Sequence, residues 1–380
     1  MDFFNFLEKN LKSIKENKLY RQRKVIKDLI DFSSNDYLGL KNNEKTKEKL
    51  LKNIKNLSLG SGASTHISGY TEIQEKLENF LAKFKETESC IVIGSGYMAN
   101  VGLISALATE KDVIFSDELN HASIIDGVRL SKAKKVIYKH CDIKDLEEKL
   151  KDTNTKGIKY IITDGIFSME GDIAPIDKLY NLAEKYDAVL IIDDAHSTGV
   201  VGEGKGSLFH YRLKPNNRII QMGTLSKAVG SYGAYICGSN LLIEYLINKM
   251  RTAIFTTALS PIQNFISLEN LKILANEPQR RKYVLQLSKY LAENLKNLGF
   301  DIRYFGTPII SLITKTPEKA LKYSEYLKQK GFFIQAIRPP TVPQGKSRLR
   351  ITVSYNHSKI DVDNLIDTFE DIKRKLKWEN

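Results

Sequence analysis

Short apolar runs alternate with helical stretches through the middle of the chain. Each run is rich in isoleucine, valine or tyrosine and is bounded by polar or glycine-containing segments. The runs lie at residues 91–93, 113–115, 136–138, 160–162, 189–192, 219–222 and 234–237. Buried strands separated by crossover helices are typical of an α/β layer around a mostly parallel sheet. The pattern therefore predicts a large α/β domain in this part of the chain.

The two ends of the chain follow other patterns. Near the start, Phe3, Leu7, Leu11 and Ile14 recur at helical spacing, which predicts an amphipathic helix that we expect to pack against the body of the protein. From about residue 265, long helical stretches precede runs that predict strands at 309–313, 332–337 and 348–353. A closing helix is predicted around the apolar residues Leu365, Phe369, Ile372 and Leu376. The C-terminal part therefore reads as a smaller α+β domain.

Length and hydrophobic content favour more than one domain. The chain has 380 residues, of which 42% are hydrophobic, and this exceeds the usual size of a single domain. We predict an N-terminal helix with a following turn-rich segment at 1–40, a large domain at 41–264 and a small domain at 265–380. The sequence has no internal repeat and no Pro/Gly-rich linker.

Charge and cysteine content exclude several classes. The formal net charge is +13, but the 58 basic residues are interspersed with 45 acidic ones, and neither a basic tail nor a nucleic-acid-binding motif is present. Three cysteines without paired spacing argue against a disulfide framework or a metal site. No apolar run approaches membrane-spanning length, and the first residues lack the features of a signal peptide. We expect a cytoplasmic protein without metal, membrane or nucleic-acid partners.

Two neighbouring segments carry the candidate chemistry. The strand at 189–192 leads into Asp193 and His196, and the next strand leads into Thr224, Ser226 and Lys227. A lysine can hold the aldehyde of pyridoxal phosphate as a Schiff base, and an acid can keep the pyridine nitrogen protonated. Alone, a Ser-Lys pair is typical of solvated surface, and the acid-histidine segment fits a metal site or a turn equally well. Their order and spacing together favour the cofactor.

Two loops fit the same cofactor. Gly94-Ser95-Gly96 follows a predicted strand and opens a helix, so its backbone N–H groups can hold a phosphate, although many such turns are purely structural. His121 begins another predicted helix, where it either caps the helix or stacks on the pyridine ring. Both loops follow strand ends, where open α/β sheets bind their ligands.

Six segments resemble the α-oxoamine synthase family of pyridoxal-phosphate enzymes. They are NDYLG at 35–39, SLGSG at 58–62, SGY at 68–70, FSM at 167–169, DDAHSTG at 193–199 and TLSK at 224–227. The resemblance spans nearly the whole chain in the same order. It implies a fold-type I transferase, with a mostly parallel central sheet in a large domain and a smaller α+β C-terminal domain.

The resemblance also assigns cofactor contacts. It implies that Lys227 binds the cofactor covalently and later removes the α-proton, that Asp193 pairs with the pyridine nitrogen, and that His121 stacks on the ring. Ser168 and His196 would bind the phenolic oxygen. The residues implied for the phosphate are Gly96, Tyr97, Thr224 and, from the second subunit of a homodimer with shared active sites, Thr257.

Substrate contacts are implied at further positions. Arg350 would bind the carboxylate of the amino acid, a task suited to the planar guanidinium. Arg21 and Arg338 would contact the acyl substrate or its far carboxylate, and Asn35 is a further candidate. One segment departs from the family, which commonly has His-Asn-Asp where this chain has His140-Cys141-Asp142.

Two segments favour one reaction within the family. AIRPPTVP at 336–343 and HISGY at 66–70 are similar to the member that acts in biotin biosynthesis. That member condenses L-alanine with a pimeloyl thioester to 8-amino-7-oxononanoate, carbon dioxide and free carrier. The carrier, coenzyme A or acyl carrier protein, stays open. The alternatives are a glycine C-acetyltransferase, which joins glycine to acetyl-CoA, and a regulatory module that keeps the cofactor but binds nucleic acid.

Overall fold

Two compact units make up the chain. A computed structural model describes residues 2–17, 19–23 and 25–375. The central unit contains Asn35–Ser168 and Asp172–Val284. The outer unit contains the described residues up to Ser34, Met169–Gly171 and the described residues from Leu285 onward. These units divide the chain after Ser34 and Val284, whereas the sequence pattern placed divisions after residues 40 and 264.

The strands and helices follow one another as the apolar pattern suggested. The strands are β1 (Ile30–Asp31), β2 (Ser89–Ile93), β3 (Val113–Asp117), β4 (Lys134–Tyr138), β5 (Lys159–Asp164), β6 (Ala188–Asp193), β7 (Ile219–Thr224), β8 (Ala234–Gly238), β9 (Ile302–Tyr304), β10 (Ile309–Lys315), β11 (Phe332–Phe333), β12 (Ala336–Ile337) and β13 (Ser347–Thr352). The helices are α1 (Phe3–Glu16), α2 (Glu44–Asn53), α3 (Glu72–Phe84), α4 (Gly96–Leu107), α5 (Ala122–Ser131), α6 (Ile143–Asp152), α7 (Ile176–Lys185), α8 (Ser207–His210), α9 (Asn240–Lys249), α10 (Arg251–Ile254), α11 (Pro261–Asn276), α12 (Pro278–Asn297), α13 (Pro317–Gln329) and α14 (Lys359–Lys375).

A seven-stranded sheet forms the middle of the central unit. Its strand order is β2-β8-β7-β6-β5-β3-β4, and every predicted strand of this region is present. The pairs from β4 through β7 are parallel, whereas β8 runs antiparallel to both of its neighbours. Buried apolar side chains of these strands and of the adjacent helices pack together in clusters. The prediction of a mostly parallel α/β sheet is therefore confirmed.

The outer unit is an α+β structure. Strands β12-β13-β10-β9 form an antiparallel sheet, and β1 pairs in parallel with β11. This pairing places the N-terminal segment with the C-terminal part, which periodicity along the chain could not indicate. The run at 332–337, predicted as one strand, is two strands in separate sheets. Helix α14 buries Leu365, Phe369 and Ile372, while Leu376 lies outside the described residues.

Helix α1 forms where its periodicity predicts, but its apolar face is exposed. Phe3 is 65% exposed and Phe4 is 70% exposed, and none of the residues of the helix is buried. The expectation that it packs against the body of the protein is not met in the chain. Periodicity identifies an apolar face but not what covers it.

Among the described residues, no helix combines the length and the apolar character needed to cross a membrane.

Candidate active site

Polar residues converge at the carboxyl ends of adjacent parallel strands of the central unit. Strand β6 ends at Asp193, and β7 ends at Thr224, three positions before Lys227. Asp164, at the end of β5, is the register partner of Asp193. This edge of the sheet is where ligands of open α/β folds bind.

Asp193 is a buried carboxylate held by neutral donors. It is 3% exposed. Its Oδ1 accepts a hydrogen bond from the Ala195 N–H at 2.8 Å, and its Oδ2 accepts one from Asn100 Nδ2 at 2.7 Å. Such bonds stabilise the ionised form without neutralising its charge. Asp193 is therefore suited to pair with a protonated pyridine nitrogen.

The adjacent Asp194 has a different partner. Its Oδ2 lies 2.8 Å from Nζ of Lys85, and both side chains are completely buried. Its Oδ1 accepts hydrogen bonds from Oγ of Ser207 at 2.6 Å and from the Ser207 backbone at 3.0 Å. Asp194 thus forms a buried ion pair with Lys85, so Asp193 is the acid suited to a cofactor.

His121 is fixed at the start of α5. Its Nδ1 lies 2.7 Å from Oγ of Ser123 and accepts the Ser123 N–H at 3.2 Å, while its own backbone N–H donates to Asp164 at 2.8 Å. Burial lowers the pKa of the His121 imidazole; the carboxylate of Asp193 opposes this decrease and the ammonium of Lys227 adds to it. His121 therefore combines the capping role and a position beside the predicted cofactor residues.

Asp164 and Lys227 belong to the same electrostatic group. Burial raises the pKa of the Asp164 carboxyl strongly, and the charge of Asp193 raises it further. The His121 N–H and the ammonium of Lys227 act in the opposite direction. Asp164 therefore keeps its proton more readily than an ordinary carboxyl does.

His196 is oriented by a buried tyrosine. Tyr37 is completely buried, and its Oη lies 2.7 Å from Nδ1 of His196 and 3.2 Å from Oδ1 of Asn35. The predicted contact His196 and the candidate Asn35 are thus joined through a residue to which sequence analysis gave no role. Asn35 belongs to the central unit, unlike the other predicted substrate residues.

A helix N-terminus and two loops form the candidate phosphate site. Helix α4 starts at Gly96, and Ser95 caps it by accepting the Met98 N–H. A Cβ added to Gly96 would lie 3.9 Å from Cβ of Thr224, so the loop after β2 meets the end of β7. Thr224 Oγ1 contacts Ser226 Oγ at 2.7 Å. The N–H groups and dipole of a helix start favour an anion.

Two other predicted phosphate residues are exposed in the chain. Tyr97 is 48% exposed, and its hydroxyl donates to Asp126. Thr257 is exposed in the segment after α10. Ser168 follows the buried Phe167, beyond the end of β5. Tyr97, Thr257 and Ser168 therefore stay candidates for contacts with a phosphorylated cofactor.

The two arginines of strand β13 have different surroundings. Arg348 donates from Nη1 to Glu170 Oε1 at 3.0 Å and to the Met169 carbonyl at 2.9 Å. Arg350 occurs two positions later on the same strand, pairs in register with Ser311 and is 6% exposed. Arg348 therefore holds the loop at Met169–Gly171, and Arg350 stays the candidate for a substrate carboxylate.

A cavity of about 1050 Å³ lies within the outer unit. Arg21 and Arg338 both line it, and Nη2 of Arg21 donates to Oγ1 of Thr341 at 2.8 Å. Burial lowers the pKa of the Arg338 guanidinium, and the charge of Arg21 lowers it further. Apolar lining side chains are Val25, Ile26, Leu29, Leu321, Phe333 and Ile337. Lys27, Lys328 and Glu325 also line the cavity, so basic side chains outnumber acidic ones there. Basic groups beside an apolar wall suit an anionic group on an aliphatic chain.

His140 joins two carboxylates at the same edge of the sheet. Its Nδ1 lies 3.0 Å from Asp117 and its Nε2 lies 2.8 Å from Asp172. Potential metal-binding atoms of Asp117, His140 and Cys141 lie within 4.8 Å of one another. However, carboxylates contact both ring nitrogens, which is the arrangement of a protonated imidazole and not of a metal-bound one. Burial alone would lower the pKa of His140, but the hydrogen bonds to Asp117 and Asp172 outweigh it and raise this pKa to about 12.

Comparison with known proteins places this chain in a family. The family described as aminotransferase class I and II matches residues 27–369. This chain belongs to that family. The 8-amino-7-oxononanoate synthase of Lysinibacillus sphaericus is 46% identical over 346 residues, covering 91% of this chain and 89% of the relative. The resemblance to pyridoxal-phosphate enzymes is thereby confirmed.

Solved structures of family members share the fold. An 8-amino-7-oxononanoate synthase from Francisella tularensis is 29% identical, with a TM-score of 0.79 over 92% of this chain and 99% of its own. A serine palmitoyltransferase solved with pyridoxal phosphate is 25% identical, with a TM-score of 0.91 over 98% of this chain and 99% of its own. The predicted fold-type I architecture is confirmed by this likeness.

Sequence reasoning missed residues that support the named ones. Asn100, Ser123 and Tyr37 contact Asp193, His121 and His196 respectively, and Thr341 contacts Arg21. All four lie in or beside segments that the analysis singled out. Ser123 lies two positions from His121, but the roles of the other three depend on contacts between distant segments, for which spacing along the chain gives no signal.

Proposed function

We propose that this protein condenses L-alanine with a pimeloyl thioester to 8-amino-7-oxononanoate, carbon dioxide and free carrier, with pyridoxal phosphate as cofactor. The observation that carries the proposal is the grouping of the buried Asp193 with His121 and Lys227 at one edge of the central sheet. The name of the relative that is 46% identical supports this choice of reaction.

The cofactor would be held by residues of the central unit. The start of α4 at Gly96 and Tyr97, together with Thr224, would bind the phosphate. Asp193 would pair with the pyridine nitrogen, and His121 would stack on the ring. When bound, pyridoxal phosphate supplies an electron sink that stabilises negative charge at the α-carbon of the amino acid.

Protein groups would perform the remaining steps. Nζ of Lys227 would hold the cofactor covalently before the amino acid arrives and then accept the α-proton. His196, oriented by Tyr37, and Ser168 would hydrogen-bond the phenolic oxygen. Arg350 would bind the carboxylate of L-alanine through its planar guanidinium. The carboxylate is thereby positioned before it leaves as carbon dioxide.

The acyl substrate has candidate contacts in the outer unit. The far carboxylate of the pimeloyl group suits Arg21 and Arg338, and its methylene chain suits the apolar lining of their cavity. Asn35, joined to His196 through Tyr37, is a further candidate for substrate contact. A glycine C-acetyltransferase would need room for only two acyl carbons and no second anion site. The cavity therefore favours the pimeloyl reaction over this alternative.

A homodimer with shared active sites is part of the proposal. Thr257 would reach the phosphate of the neighbouring subunit. Large apolar side chains are exposed on the central unit, among them Leu59 at 77%, Ile67 at 81% and Phe255 at 71%. Where such side chains adjoin one another, they often mark protein interfaces. Hybrids of Lys227→Ala and Thr257→Ala subunits should regain activity that neither homodimer has; a fully active monomer in light scattering would contradict the arrangement.

The compartment and the acyl carrier are also proposals. Cys90, Cys141 and Cys237 are free thiols, which suits the reducing cytoplasm. The lysine-rich surface suits either coenzyme A or an acidic acyl carrier protein, so both pimeloyl-CoA and pimeloyl-acyl carrier protein should be offered as substrates.

Product identification tests the reaction. The purified protein is incubated with L-alanine and a pimeloyl thioester, or with glycine and acetyl-CoA, and the products are identified by mass spectrometry. We expect 8-amino-7-oxononanoate and carbon dioxide, with a higher kcat/KM for the first pair. Dominant 2-amino-3-oxobutyrate or aminoacetone would establish the acetyltransferase instead.

Borohydride reduction tests the cofactor. The reduced protein is digested and mapped, and the label should be found on Lys227. Lys227→Ala should lose both the visible absorbance and the activity. A label on a different lysine would overturn the assignment.

Salt-dependent DNA binding would revive the alternative of a regulatory nucleic-acid-binding module.

A further inference from the structure

A continuous hydrogen-bonded path joins Asp193 to His121. Asn100 Nδ2 lies 2.7 Å from Asp193 Oδ2 and 2.9 Å from Ser123 Oγ, and Ser123 Oγ lies 2.7 Å from Nδ1 of His121. Asn100 is 1% exposed and Ser123 is completely buried. The path connects α4, α5 and β6, which supply Asn100, Ser123 and Asp193.

The inventory of hydrogen atoms fixes the direction of the bond at Asp193 and limits the directions of the others. A carboxylate only accepts, so Asn100 must turn its amide nitrogen, and not its oxygen, toward Asp193. The same nitrogen donates its second hydrogen to Ser123 Oγ. Since Ser123 Oγ accepts there, its single hydrogen is available for Nδ1 of His121. The Ser123 backbone N–H also donates to this Nδ1, at 3.2 Å.

Two donors therefore point at the same ring nitrogen of His121. A nitrogen that accepts cannot carry a proton, so the ring proton must be on Nε2. Burial lowers the pKa of His121, but the charge of Asp193 opposes this decrease and so favours a protonated ring. The path through Asn100 and Ser123 acts against this attraction by occupying the nitrogen that would take the extra proton.

We infer that Asn100 and Ser123 are positioning residues that hold His121 neutral, as the Nε2–H tautomer, so that it does not become the counter-ion of Asp193. The charge of Asp193 is then reserved for the pyridine nitrogen of the cofactor. This consequence rests on the proposed cofactor site, whereas the tautomer of His121 does not.

Nuclear magnetic resonance of the full-length protein tests the inference directly. The protein is labelled with ¹⁵N-histidine and studied first with the cofactor bound and then after its removal. The signal of His121 among the six histidines is assigned with a His121→Gln variant. We expect the Nε2–H tautomer at neutral pH in both forms. A proton on Nδ1 in the wild-type protein would overturn the inference, whatever the enzyme's activity.

A matched pair of serine variants tests the path. Ser123→Ala removes the hydroxyl that donates to His121. Ser131→Ala removes another buried hydroxyl from the same helix, which bonds to the Val128 carbonyl at 2.8 Å. We expect the pKa of His121 to rise in Ser123→Ala and to stay unchanged in Ser131→Ala. An unchanged pKa in Ser123→Ala would refute the role of this hydroxyl.

Cofactor binding supplies a second readout. In Ser123→Ala, lowering the pH from 8 to 6 should weaken the affinity for pyridoxal phosphate about threefold more than in the wild type, because protonated His121 competes for Asp193. The Ser131→Ala control should follow the wild type. Equal pH dependence in all three proteins would contradict the proposed effect on Asp193. If condensation activity were absent while the tautomer was as expected, only the proposed reaction would fail.

Discussion

Tyr37 Oη lies 2.7 Å from Nδ1 of His196, although 159 positions separate the two residues along the chain. Tyr37 is completely buried, so the contact is shielded from water. One segment comes from the turn-rich region near the N-terminus and the other from the end of β6. The contact orients a side chain that composition and spacing could only mark as a candidate.

Replacing Tyr37 should disturb His196 without removing it. In Tyr37→Phe, the buried Nδ1 loses its hydrogen bond to the tyrosine hydroxyl, which typically costs about 0.5–1.5 kcal/mol. We expect a lower free energy of unfolding in urea and a changed visible spectrum of the bound cofactor. His196→Gln should change the spectrum in the same direction. A spectrum identical to that of the wild type in Tyr37→Phe would show that the tyrosine does not orient His196.

The two adjacent aspartates should give opposite phenotypes. Asp193→Asn should keep the fold and the cofactor but lower kcat by about 100- to 1000-fold, the loss typical for a group that stabilises developing charge. Asp194→Asn leaves the Lys85 ammonium buried without its ion-pair partner, which typically costs about 3–5 kcal/mol of stability. Kinetics and urea unfolding of both variants distinguish the roles. A large kcat loss in Asp194→Asn and none in Asp193→Asn would exchange them.

The arginines of the outer unit should separate the two substrates. Arg350→Ala should raise KM for L-alanine, and Arg338→Ala should raise KM for the pimeloyl thioester, each by about 10- to 100-fold for a lost charge-assisted hydrogen bond. Arg348→Met is the control. Because the bonds of Arg348 to Glu170 and Met169 are structural, this variant should not separate the KM values of the two substrates. Steady-state kinetics with each substrate varied gives the answer. Equal effects of Arg350→Ala and Arg338→Ala on both KM values would contradict separate subsites.

His140 should make the stability of the protein depend on pH. Its pKa is raised to about 12 in the folded protein, against about 6.5 for an unperturbed histidine. A raised pKa stabilises fully below about pH 6.5, and the effect decreases as the pH rises toward 12. The stability lost in His140→Gln should therefore be largest near pH 6 and smaller at pH 9 in urea unfolding.

A second histidine provides the control for this pH dependence. Burial lowers the pKa of His210, so its contribution has the opposite sign. The free energy of unfolding that His210 contributes, measured as the difference between the wild type and His210→Gln, should not decrease between pH 6 and pH 9. A pH-independent difference between the wild type and His140→Gln would mean that the two carboxylates do not hold a proton on His140.

Cys141 occupies a backbone conformation that suits asparagine better. Its φ is +53°, in the left-handed region that asparagine adopts more readily than cysteine. Cys141→Asn, which introduces the residue that the family resemblance implies at this position, should raise the free energy of unfolding by about 0.5–1 kcal/mol. Thermal unfolding measures the change, with Cys141→Ala as the control that keeps the strain. A gain as large in Cys141→Ala would point to removal of the thiol as the cause.

The sequence by itself determined the architecture of the central unit and predicted the candidate site residues. Apolar runs alternate with helical stretches, and the motifs around Asp193 and Lys227 occur in family order, so both signals are local in the chain. Local signals of this kind can be read from the sequence, because buried strands consist of apolar residues and the loops at their ends contain polar ones.

Only the tertiary structure decided which residues support that site. The pairing of β1 with β11, the division of roles between Asp193 and Asp194, and the path from Asn100 through Ser123 to His121 each join distant segments. The exposure of the apolar face of α1 is likewise a property of the folded chain. A hydrogen bond or an ion pair depends on positions in space within a few ångströms, and these are set by packing of the whole core.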